Sequence, residues 1–217
     1  LLLAPAHAQL AGKTALVIVP DGALWELPFQ ALRTAGGRYL IEDYAVSYAP
    51  SLTVLREMRR AHDRPTAAWN LLALGDPAQG DASSGRRPRL MNGALGALPE
   101  AEAQVRALAR LSGPGRSAVY WGAAAREAPV KADAGRYRIV HFAPHGVLDD
   151  RRPLYSYVAL ASSDGRETED GLREAWERME MDLRAELVVL SACETGRGRF
   201  APGEGIIGMT WAAFVAG

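Results

Sequence analysis

The stretch that decides the fold is Tyr137-Arg138-Ile139-Val140-His141-Phe142-Ala143-Pro144-His145-Gly146. Its apolar run, Arg138–Phe142, is short and closed by turn residues, the pattern of a buried strand. The same pattern recurs on either side of it. Leu71–Leu74 ends at Gly75-Asp76-Pro77, Leu187–Leu190 ends near Cys193, and Ala15–Val19 ends at Pro20-Asp21-Gly22, where glycine accepts a positive φ. Tyr44–Tyr48 and Tyr157–Leu160, aromatic or β-branched in character, are expected as further strands.

Helical patterns separate these runs. Ser51 can cap a helix over Leu52–His62, with Leu52, Leu55 and Met58 sharing a face. Pro99 opens a second over Glu100–Leu111, acidic at its start, with Ala101, Val105, Leu108 and Leu111 expected on one side. Ala123–Ala132, Gly171–Glu180 and the apolar Gly205–Ala216 are further candidates, and the residues before Lys13 are helix-like. Strands alternating with helices predict an α/β domain with a mostly parallel, covered sheet.

The chain has 217 residues, enough to bury a proper core, and 25 basic residues balance 25 acidic ones. A zero formal charge supplies no global field for nucleic acid or an anionic membrane, so neither is expected as a direct partner. The run Arg86, Arg87, Arg89 lies in the Gly/Ser-rich stretch Ala78–Gly96 and reads as a solvated loop. One cysteine excludes an internal disulfide and a cysteine-rich zinc site, and the four histidines show no metal-ligand spacing beyond His141 and His145. No metal or cofactor is expected. A lone free thiol fits a reducing compartment, the cytoplasm, and no apolar run approaches the roughly 20 residues that span a bilayer. Leu1-Leu2-Leu3 and the ending Phe214-Val215-Ala216-Gly217 read as cut points of a longer chain.

In α/β sheets, function gathers beyond the carboxyl ends of the strands. Two such ends carry reactive side chains: His145 follows one, and Cys193 follows the other in Ser191-Ala192-Cys193-Glu194-Thr195-Gly196. If the two strands are neighbours, both residues emerge on one edge. A histidine can take the thiol proton and return one to a leaving amine. The backbone N–H groups of Gly146 and Cys193 are candidate oxyanion donors. His141 sits within its strand and is expected to be a satisfied sheet histidine. Order separates the thiol enzymes: papain-like ones place cysteine first, whereas caspases place histidine about 50 residues upstream. Here His145 precedes Cys193 by 48 positions.

These residues resemble the CHAT family, bacterial caspase-like domains commonly attached to tetratricopeptide repeats. The resemblance runs through Leu16–Gly22, Trp25–Leu32, Tyr48–Ser51, Leu74–Pro77, Leu98–Glu102, His141–Gly146, Ser191–Gly196 and Gly203–Gly208. It implies one caspase-like domain over residues 1–217, a three-layer α/β/α fold whose sheet continues past Gly217 into another strand. It further implies a cysteine endopeptidase acting on a protein substrate. His145 would be the base and Cys193 the nucleophile, with regulation by an upstream repeat or partner. Pro144 departs from the small residue usual at that place.

Other readings stay open. The chain could be a silent caspase-like scaffold that binds a protein partner, or another thiol enzyme such as a transferase or amidase. Asp149 and Asp150, just beyond the base, would favour a basic substrate residue, although solvated loop carboxylates are the plainer reading. Gly203-x-Gly205-x-x-Gly208 fits a dinucleotide fingerprint, but its strand does not immediately precede it, and a loop entering the last helix is expected instead.

Overall fold

The computed structural model describes residues 2–34, 36–62, 67–78, 96–113, 115–147, 153–161, 172–174, 177, 181–191, 199–201 and 205–217. The chain divides into two compact units, Leu1–Glu57 with Phe200–Ile206, and Met58–Arg199 with Ile207–Gly217.

In the first unit, a helical turn at Ala4–Ala6 and α1 (His7–Leu10) precede β1 (Ala15–Ile18). After α2 (Leu40–Asp43) comes β2 (Ala45–Tyr48), which pairs with β1 in parallel, Leu16 opposite Val46. Gly22 takes φ +52° in the turn after β1, and its N–H donates to Asp21 Oδ1 at 2.9 Å. Leu16, Phe29 and Leu40 form a small buried core. The Tyr48 hydroxyl accepts from the Phe29 N–H at 3.1 Å and donates to Gln30 Oε1, which ties the Trp25–Leu32 segment to β2. The division between the units falls within α3 (Leu52–His62), which begins as expected: Ser51 Oγ accepts the Val54 N–H at 3.1 Å.

The second unit is built on β3 (Trp69–Pro77), α4 (Pro99–Ser112), β4 (Ser117–Gly122), α5 (Glu127–Asp133) and β5 (Tyr137–Ala143). Then follow β6 (His145–Val147), β7 (Tyr157–Ala159), β8 (Leu172–Glu174) and β9 (Leu187–Leu190). Four strands make a wholly parallel sheet in the order β4-β3-β5-β9. β3, with Leu71–Gly75 all buried, lies inside it, as a strand covered on both faces requires. Its side chains alternate between two cores. Leu72 and Leu74 join Val140, Phe142, Val130 of α5, and Met209 and Ala212 of α6 (Met209–Ala216). Leu71 and Ala73 face Val105 of α4 on the other side. The expected three-layer, mostly parallel architecture is therefore present. A separate antiparallel sheet, β6-β7-β8, follows the end of β5, and a two-stranded ribbon joins β10 (Arg199–Ala201) to β11 (Gly205–Ile207).

Local expectations fail where a competing constraint is stronger. Leu111 is 84% exposed rather than on the buried side of α4. Steps of three residues drift about 60° each round a helix, so Leu111 lies about 120° from Val105. Within Gly171–Glu180, expected as helix, Leu172–Glu174 instead form β8, because antiparallel pairing with β7 outweighs local propensity. The helix expected over Gly205–Ala216 starts only at Met209, since β-branched Ile206 and Ile207 extend after Gly205 as β11. The helix expected from Ala123 starts at Glu127, which keeps Pro129 within the first turn where its missing N–H costs nothing. Most of the Arg-rich stretch 78–96 lies outside the described residues.

Candidate active site

The site gathers at the carboxyl ends of β5 and β9, which are parallel neighbours with Phe142 opposite Leu190. The pairing extends one residue further, for the Ser191 N–H donates to the Phe142 carbonyl at 2.7 Å. Ser191 is thus anchored at the sheet edge two positions before Cys193. Cys193 itself lies outside the described residues, as do Asp149 and Asp150.

On the β5 side, Ala143 is 2% exposed and Pro144 is fully buried. Here the chain leaves the parallel sheet for β6, and a residue without an N–H leaves no donor to satisfy at the break. His145 then opens β6 opposite Ala159, half-buried, and Gly146 follows it opposite Val158.

His145 Nε2 lies 2.7 Å from the carbonyl oxygen of Gly96. A carbonyl only accepts, so Nε2 carries the proton and donates, leaving the lone pair of the neutral ring on Nδ1. Gly96 is held in turn by the entry to α4. Asp76, after the buried run of β3, has φ +41°, a left-handed conformation that aspartate tolerates better than most residues. Its Oδ1 accepts the Leu98 N–H at 2.6 Å, a short charge-assisted bond. The carboxyl end of β3 thereby fixes the segment whose carbonyl orients the imidazole.

A cleft of about 410 Å³ lies between the first turns of α4 and the ends of β5 and β9. His145 and Ser191 both border it, with Leu98, Ala101, Ala143 and Pro144 as its apolar wall. Among the described residues no cluster of three histidine, cysteine, aspartate or glutamate side chains could hold a metal ion. No helix among them is long and apolar enough to cross a membrane.

His141, four residues earlier and within β5, is a different kind of histidine. It is 5% exposed inside β5, with Nε2 3.4 Å from Gln104 Oε1 of α4, as expected for a satisfied sheet histidine. Burial lowers its pKa below the usual 6.5, so the folded chain keeps it neutral where the unfolded chain would protonate it. The unfolded state then binds more protons between the two pKa values, and stability falls as pH drops below about 6.5. Urea midpoints at pH 7.5 and 5.5 should show this loss, and His141→Gln should reduce it.

Asp76, Gly96 and Gln104 are the participants that the residue pattern did not single out. Asp76 carried a signal, its place in a Gly-Asp-Pro turn. A backbone carbonyl acting on a histidine 49 residues away leaves no mark in sequence.

A parallel sheet bearing a histidine at one strand end, beside the strand that leads to the only cysteine, belongs to a caspase-like α/β fold. The model of the CHAT domain family matches residues 1–217, the whole chain, and the chain belongs to that peptidase-related family. No curated protein matches it significantly.

Proposed function

We propose that the chain is a cysteine endopeptidase whose dyad is His145 and Cys193, acting on a protein substrate. The observation that carries this reading is the parallel pairing of β5 with β9, since both residues follow directly from those strand ends. Nδ1 of His145 takes the Cys193 proton, and the thiolate attacks the peptide carbonyl carbon. The N–H groups of Gly146 and Cys193 hold the oxyanion. Nδ1 returns the proton to the leaving amine, and water then hydrolyses the thioester. Throughout, the Gly96 carbonyl accepts from Nε2, a bond that strengthens when the ring is cationic. Regulation by a tetratricopeptide-repeat segment or another partner, and action in a reducing cytoplasm, complete the proposal on the strength of the family.

The test is incubation with a peptide library derived from a digested proteome, with new termini read by mass spectrometry. The wild-type chain should generate a consistent set of new termini, and Cys193→Ala should generate none. No new termini with wild type, or the same set with the variant, would contradict a cysteine peptidase.

A further inference from the structure

We propose that the cleft beside His145 selects a lysine or arginine side chain on the acyl side of the scissile bond, with Glu100 as its counter-ion. This rests on the peptidase reading, and specifies its substrate class. The cleft borders both His145 and Ser191, so a side chain attached next to the attacked carbonyl is within its reach.

The wall has two chemical halves. Leu98, Ala101, Ala143 and Pro144 offer apolar surface, and Glu100 and Gln104 follow on the α4 side. Glu100 and Gln104 are four residues apart and so share one face of α4. Gln104 is held toward β5 by its contact with His141, and Glu100 lies one turn nearer the start of α4. Lysine and arginine have this same division, an apolar stem and a charged head.

Charge decides the sign. Among the described residues no lysine or arginine lines the cleft, and Glu100 is the one carboxylate that does. The neighbouring acid of that helical turn is already committed, for Glu102 Oε1 pairs with Arg106 at 2.6 Å. Glu100 has no such partner among the described residues. An acidic substrate side chain would meet this carboxylate, and a neutral one would leave it unused.

The probes are peptidyl acyloxymethyl ketones that differ only at the residue next to the ketone: lysine, norleucine or glutamate. In each, the Cys193 sulfur displaces the carboxylate leaving group, forming one C–S bond as one C–O bond breaks. The lysine probe should label wild type about tenfold or more faster than its norleucine isostere, and the glutamate probe slowest. Glu100→Gln should collapse the lysine-to-norleucine ratio toward one. Glu100→Lys should reverse the order and favour the glutamate probe, a gain that misfolding cannot mimic. A wild-type ratio near one, or a lysine preference that survives both substitutions, would overturn the assignment while leaving a reactive thiol in place. If instead no probe reacts and iodoacetamide labels Cys193 at a rate indifferent to His145, the peptidase reading itself fails, and this inference with it.

Discussion

Replacing His145 by alanine should lower peptide cleavage by about 10²- to 10⁴-fold, the usual worth of a positioned general base. The argument is one of proton placement. Nε2 is committed to the Gly96 carbonyl, so Nδ1 is the atom free to accept, and alanine removes both the acceptor and the later donor. The loss should appear chiefly in kcat, because the histidine acts on the reacting atoms rather than on distant parts of a substrate. Cleavage rates of a peptide taken from the library digest, for wild type and variant, check this. A variant retaining more than about a tenth of wild-type kcat would show that His145 is not the base.

Replacing Gly75 by valine should destabilise the second unit by about 2–3 kcal/mol or more. A Cβ at this position would lie 2.7 Å from the Ala101 carbonyl oxygen and 3.0 Å from Val105 Cγ1. The first of these is helix backbone, which cannot rotate away, so α4 must lift from β3. Val105, the fully buried residue of that helix, would lose part of its packing against Leu71 and Ala73. For a chain of this size the thermal midpoint should fall by about 5–10 °C. Leu111→Ala on the same helix is the natural control. That side chain is 84% exposed, and its removal should change stability by no more than about 0.5 kcal/mol. Equal midpoints for wild type and Gly75→Val would mean that α4 does not pack this closely.

How much of this was legible in sequence depended on whether a constraint was local. The runs Leu71–Leu74, Arg138–Phe142 and Leu187–Leu190 are short and bounded by turn residues, and each became a strand of the parallel sheet. Ser51 announced its helix through a cap that needs only three following residues. By contrast β4 begins Ser117-Ala118, two small residues that do not mark a buried run. The strand β8 was obscured because its stability comes from β7, a partner that local propensity cannot see. The site divides in the same way. His145 and Cys193 were legible as candidates by chemistry, order and position after strands; β5 and β9 are parallel neighbours, while Cys193 lies outside the described residues. The parts acting through backbone or tertiary placement, Gly96 on His145 and Asp76 on Leu98, became visible only once the chain was folded.

The central claim, that His145 activates Cys193, is tested most directly by the rate of iodoacetamide alkylation against pH, in wild type and His145→Ala. The chain has one cysteine, so mass spectrometry gives a single unambiguous product, and no substrate need be known. The account predicts fast alkylation of wild type that persists well below the ordinary thiol pKa of about 8.5, and a profile that slows and returns toward 8.5 in the variant. A slow wild-type rate that rises only near 8.5 and is unchanged by the substitution would contradict it.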